Sequence, residues 1–169
     1  ACSARHDYNW QLVLADSLMQ LQPDSTLFIL QNISNQELAT RADSAYYALL
    51  MTQAKDQNCV LQTDDSLIRI AAYYYDAIGD IILQAKAHYY YGCVWRDKNN
   101  YPKAIVEYRK ARTFAEEAKD VNLLSCIYSN VGHLYYSQEL DEEADSIYKL
   151  AEQLAVQQQD TTGMVYALL

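Results

Sequence analysis

The chain has 169 residues, 51% of them hydrophobic, with only 4 Gly and 2 Pro. That is too apolar for a disordered chain and too poor in turn residues for a sandwich or barrel of many tight turns, so long helices are favoured. The formal charge is −9, from 13 Lys and Arg against 22 Asp and Glu without a basic stripe, which argues against nucleic-acid binding by this segment, and no apolar run reaches the roughly 20 residues of a membrane span.

From Asn9 to Leu21, Trp10, Val13, Leu14, Leu18 and Leu21 recur at helical spacing. Gln22 to Ser25 breaks the pattern, with Pro23 suited to an early helical position, and a short second helix carries Leu27, Leu30 and Ile33. Ser34, followed three residues later by Glu37, reads as a capping box for a long third helix, Gln36 to Asp56. After the polar stretch Gln57 to Thr63, Asp64, Asp65 and Ser66 offer N-cap oxygens to a fourth helix, Leu67 to Ile78, which Gly79-Asp80 ends. Further helices are predicted over Ile81 to Asp97, Tyr101 to Lys119, Asp120 to Gln138 and Asp141 to Gln158, and Asp160-Thr161-Thr162 would cap a ninth ending at Leu169. No strand signal competes. The final apolar run, Met164 to Leu169, would leave an array with an uncapped end, so the chain reads as the N-terminal part of a longer protein. Of the four cysteines, Cys59, Cys93 and Cys126 fall in or beside helices expected to pack, where a thiol acts as a small hydrophobe. The triplets Tyr73–Tyr75 and Tyr89–Tyr91 point successive rings to different faces, so at least one ring of each belongs in the core.

The helices repeat. His88, Tyr91, Gly92 and Trp95, then Ala104, Tyr108 and Ala111, recur 40 residues later as Tyr128, Val131, Gly132 and Tyr135, then Ala144, Tyr148 and Ala151. This pattern resembles the tetratricopeptide repeat, a helix-turn-helix unit with small residues where helices approach and large rings in the wedge between pairs. The step is 40 rather than the usual 34 or so, and the closing Pro slot is empty. An earlier, degenerate copy has Thr52 in the Gly slot and Ile68, Ala72 and Tyr75 in its second helix, after a turn about four residues longer than in the clear copies. Trp10 to Ile33 looks like a further degenerate pair. The resemblance implies an all-α solenoid of antiparallel helix pairs in a right-handed superhelix, with residues 1–8 a flexible tether and 9–169 the repeat domain. Repeats of this length resemble those of bacterial regulatory and envelope-associated proteins of the family.

The resemblance also places the first helix of each pair on the concave, ligand-facing side. The corresponding rows are Tyr46, Lys86, Cys126 and Tyr166; Leu49, Tyr89, Ser129 and Leu169; Gln53, Cys93 and His133; and Asp56, Arg96 and Tyr136. Asn130, beside Ser129, occupies a slot where family members hold a ligand backbone. The partner-binding candidates are therefore Lys86, Tyr89, Cys93, Arg96, Ser129, Asn130, His133 and Tyr136, with Lys86 and Arg96 suited to a peptide carboxylate. Cys93, Cys126 and His133 share that face but lack the close spacing of zinc ligands, and nothing supplies an oxyanion site for a Cys-His pair. No nucleotide, zinc-protease, redox or hydrolase motif occurs, so neither a metal nor a cofactor nor enzymatic activity is expected. The start Ala1-Cys2-Ser3 resembles the end of a bacterial lipoprotein signal, which implies lipidation at Cys2 and a place in the cell envelope. The reading is a non-enzymatic scaffold for a protein or peptide partner. Its rivals are a sensory or assembly module of a longer regulator, and a glycan or small-ligand binder that stacks on exposed tyrosines.

Overall fold

The computed structural model describes residues 8–167, with the side chains of α8 described only to residue 154 and at residue 156. Every regular element among them is a helix: α1 (Trp10–Leu18), α2 (Pro23–Gln31), α3 (Arg41–Gln57), α4 (Ser66–Ile78), α5 (Ile81–Asp97), α6 (Tyr101–Ala118), α7 (Val121–Tyr136) and α8 (Asp141–Ala167). Consecutive helices pack as pairs, α1 with α2 through α7 with α8. The first helices also touch in series, α1 to α3 to α5 to α7, whereas among the described residues the second helices do not approach one another. Elements that touch on one side and splay on the other make a curved stack, with the first helices on the inside.

The 40-residue step is written into the backbone as well as the side chains. Thr40, Asp80 and Asp120 cap α3, α5 and α7: Thr40 Oγ1 accepts from the Asp43 amide at 3.0 Å, Asp80 Oδ1 from Leu83 at 3.1 Å and Asp120 Oδ1 from Leu123 at 2.9 Å. Cys59, Asn99 and Glu139 follow the same three helices in the left-handed region, with φ of 55°, 55° and 60°. There the amides of Val60, Asn100 and Leu140 close back on the carbonyls of Lys55, Trp95 and Tyr135 at 2.8, 2.9 and 3.1 Å, the six-to-one bond of a Schellman end. The second helices α4 and α6 end on Gly79 and Lys119, also left-handed and 40 apart.

The same step governs packing. A Cβ on Gly92 would lie 2.5 Å from Tyr108 Cε1, and one on Gly132 would lie 2.7 Å from Tyr148 Cε1. Only glycine lets each ring seat against the partner helix. In the preceding pair, the strict 40-residue register puts Thr52 in the glycine slot and Ile68, not Ala72, in the ring slot, both about 1% exposed. The second-helix alignment expected from sequence is thus shifted by four residues. The long turn before α4 shortens the helix at its start without moving its core. A larger residue on one side is matched by a smaller one on the other.

Several boundaries differ from the sequence reading. Ser34 and Glu37 do pair, the Ser34 amide and hydroxyl donating to Glu37 Oε2 at 2.7 and 2.8 Å, but within a turn. The helix starts later, at a capping box made by Thr40 and Asp43. The buried residues of α1 are Leu12 and Ala15, with Met19 just beyond, while Trp10, Val13, Leu14 and Leu21 are exposed. The apolar spacing there marked the wrong face. The ninth helix does not form: α8 runs unbroken through Asp160–Thr162, because its backbone bonds continue where no described helix packs back to stabilise a turn. Cys59 and Cys126 are exposed, and Cys93 alone of the three behaves as a packed thiol. Tyr75, Tyr89 and Tyr90 are core rings, as the triplets implied.

Gly92→Ala forces the fully buried Tyr108 ring to move and should cost about 1–3 kcal/mol as over-packing. Gly132→Ala should cost less, since Tyr148 is 38% exposed and free to swing aside. Urea midpoints of the two variants, read by helical circular dichroism, test that order; equal losses would refute it.

Candidate inner-face binding site

The inner face is built from α3, α5 and α7, and its centre is a side-chain network around Arg96. Arg96 Nη2 donates to Asp56 Oδ1 at 2.8 Å and to Asp97 Oδ1 at 2.9 Å, Nε donates to Asp97 Oδ1 at 3.1 Å, and Nη1 donates to Asn130 Oδ1 at 2.7 Å. Asn130 Nδ2 in turn donates to the Tyr89 hydroxyl and the Cys126 carbonyl, each at 3.0 Å. The Tyr108 hydroxyl reaches Cys93 Sγ at 3.5 Å and Asn130 Oδ1 at 3.4 Å. One guanidinium thereby ties three successive first helices. Its planar fork suits this better than a lysine ammonium would, because several donors are needed in fixed directions.

The candidates divide into two groups. Tyr89 and Cys93 are buried, and Asn130 and Arg96 are half-buried members of the network. Burial pushes the Cys93 thiol up to about 12 and raises the Tyr89 phenol, so both stay neutral at physiological pH. Ser129, His133 and Tyr136 on α7 are exposed, Tyr136 at 64%. Lys86 is half-buried on α5 and has no ion-pair partner among the described residues. Arg96 is therefore not the free cation that the sequence suggested, and a carboxylate cradled jointly by Lys86 and Arg96 would have to displace Asp56 and Asp97. Cys93 is sealed against Tyr108 while His133 faces solvent, so the two do not form a nucleophilic pair. No cluster of three or more metal-ligating groups occurs among the described residues. Cys2 and residues 1–7 lie outside the described residues, as do Leu169 and the side chain of Tyr166.

Sequence reasoning missed a cleft of about 360 Å³ where α3 and α5 end, lined by Asp56, Cys59, Val60, Leu61, Arg96 and Asp97. The loop that walls it is held by Gln62, whose amide donates to Asp97 Oδ2 at 3.1 Å and whose Nε2 donates to the Thr52 carbonyl at 3.1 Å. The lengthened turn after α3 was its only signal, and a turn length does not say where a loop folds.

No family model matches the sequence, and neither does any curated protein. Among solved structures the chain is similar to the crystal structure of MamA, with a TM-score of 0.60 over 89% of this chain and 79% of that chain at 20% identity. That likeness, together with the paired helices, shows the fold: a helical solenoid of antiparallel pairs like that of tetratricopeptide repeats.

Arg96→Glu would set a third carboxylate against Asp56 and Asp97 and strand Asn130; it should cost roughly 1–3 kcal/mol. Asn130→Ala should cost a comparable amount, and the double variant should fall short of the sum. A double-mutant cycle in urea checks this; strict additivity would rule out a shared network.

Proposed function

We propose that this chain is a non-enzymatic scaffold that binds a peptide or an extended protein segment along the inner face of α5 and α7. The observation that carries the reading is a rigid polar floor beside a row of exposed recognition groups. Tyr89, Arg96 and Asn130 are fixed by one another, while Lys86, Ser129, His133 and Tyr136 remain accessible beside them. A floor ordered before binding loses little entropy when a ligand arrives. The accessible groups supply hydrogen bonds, one positive charge and one aromatic surface, a set suited to an unfolded segment with mixed side chains. The repeat architecture supports this reading, since stacked helix pairs present an extended inner surface.

The Ala1-Cys2-Ser3 start supports lipidation at Cys2 and a tether in the cell envelope. Intact mass of the protein from its native host should show an acylated N-terminus that Cys2→Ser removes; an unmodified Cys2 would refute the anchor.

Peptides selected on the full chain from a random library should bind wild type at least tenfold tighter than the double variant Lys86→Glu, Tyr136→Ala. Both positions lie outside the Arg96 network, so circular dichroism should show the fold retained. Selected peptides that bind the folded double variant equally well would sink the inner-face reading.

A further inference from the structure

His88 is 2% exposed in α5, yet both of its ring nitrogens meet carboxylates. Nδ1 lies 2.6 Å from Glu107 Oε2 on α6, and Nε2 lies 3.0 Å from Asp76 Oδ1 on α4. Lys110 Nζ donates to the other Glu107 oxygen at 3.0 Å, and Gln84 Nε2 donates to the same Asp76 oxygen at 3.2 Å. Phe114 stacks on the imidazole at 5.7 Å. A neutral imidazole has one N–H and one lone pair, and the lone pair would face a carboxylate. With both carboxyl groups ionised, the geometry is satisfied only by the imidazolium. α3 and α7, which also pack on α5, bring no ion pair or hydrogen bond to this ring among the described residues.

The fold itself does not require this cluster. Forty residues earlier, Ala48, Leu67, Ile70 and Tyr74 fill the places of His88, Glu107, Lys110 and Phe114; forty residues later Tyr128, Ile147, Leu150 and Leu154 do. In the later unit Glu116 stands in the place of Asp76 and pairs with Arg112, but neither neighbouring unit has a histidine set between two carboxylates. A histidine–carboxylate cluster at one junction, where the neighbouring units do without one, is weak evidence for stability and better evidence for a switch.

We propose that Asp76, His88 and Glu107 form a pH-operated clasp between the second and third helix pairs, closed with His88 doubly protonated and released when it loses a proton. Burial works against the charged imidazole, but its hydrogen bonds to Glu107 and Asp76 outweigh it and lift the pKa above the ordinary 6.5. A raised histidine pKa contributes stability that is complete below 6.5 and is lost as pH climbs through the raised value. Burial likewise tends to raise Glu107, yet His88 and Lys110 bring it below the ordinary 4.5, so its contribution is lost only on strong acidification. The clasp is therefore fully closed near pH 6 and opens toward alkaline pH. Opening frees Asp76 from the His88 ring and so loosens the end of α4 on α5.

Two measurements on the full chain test this. Ring ¹⁵N and ¹³C shifts of His88 should report an imidazolium at pH 6.5 and a titration midpoint above it; a neutral ring at pH 6.5 would overturn the proposal. Amide exchange in residues 71–78, corrected for intrinsic rate, should accelerate about tenfold or more between pH 6 and pH 8.5. That acceleration should vanish in His88→Gln and shrink in Asp76→Asn. Asp76 is 43% exposed at its side chain, so the second variant keeps the test alive if the first misfolds. Acceleration that persists unchanged in both variants would equally refute the clasp.

Discussion

The structure depends on how closely the two helices of a pair can approach. At Gly92 and Gly132 the ring of the partner helix occupies the space that any Cβ would take. That contact fixes both the separation and the register of α5 with α6 and of α7 with α8. Once a pair is locked, its outer surfaces define a wedge for the next pair, and the same geometry can be repeated. The caps enforce the repetition from the other direction. Asp80 and Asp120 start α5 and α7, and Asn99 and Glu139 turn the chain after them at the same point in each unit. Side-chain packing and backbone termination agree on a 40-residue step, and such agreement across levels makes a single stack the stable outcome.

Polar groups then decide what each wedge does. On the inner face Arg96 and Asn130 cross-link α3, α5 and α7, so the surface is stiff where curvature would otherwise let the pairs flex. Farther from the inner face, His88 and its two carboxylates cross-link α4, α5 and α6. The two networks meet along one helix, since His88 and Tyr89 are consecutive residues and the Tyr89 hydroxyl accepts from Asn130.

The repeat was legible because its signals are local and periodic. Gly92, Tyr108, Gly132 and Tyr148 announce themselves at fixed spacing, and the tyrosine triplets betray buried rings. Less was legible where the outcome depends on a contact distant in the chain. In α1, Trp10, Val13 and Leu14 share helical spacing with equally apolar alternatives, and only packing on α2 and α3 chooses Leu12 and Ala15. Asp65 looks like a helix cap. In the fold it accepts from Lys98 Nζ at 2.6 Å and from the Tyr91 hydroxyl at 3.1 Å, which hold its carboxyl below the ordinary range despite partial burial. The site was half legible. Its face was an expectation from the family resemblance, and the engagement of Arg96 rests on Asp56 and Asn130, 40 and 34 residues away, which no local pattern announces.

On the proposed reading, this redistribution of charge alters the kind of ligand the inner face would select. In an acidic chain, Lys86 and Arg96 on one face suggest a positive patch. With Arg96 neutralised by Asp56 and Asp97, only Lys86 remains as an unpaired cation there among the described candidates. One half-buried ammonium gives modest attraction that salt screens readily. On the proposed reading, discrimination then falls to groups whose energy depends on fit: the exposed Tyr136 ring, the His133 imidazole and the Ser129 hydroxyl on α7. A ligand read in this way is recognised by its shape and hydrogen bonds more than by its charge, and its affinity should respond weakly to ionic strength.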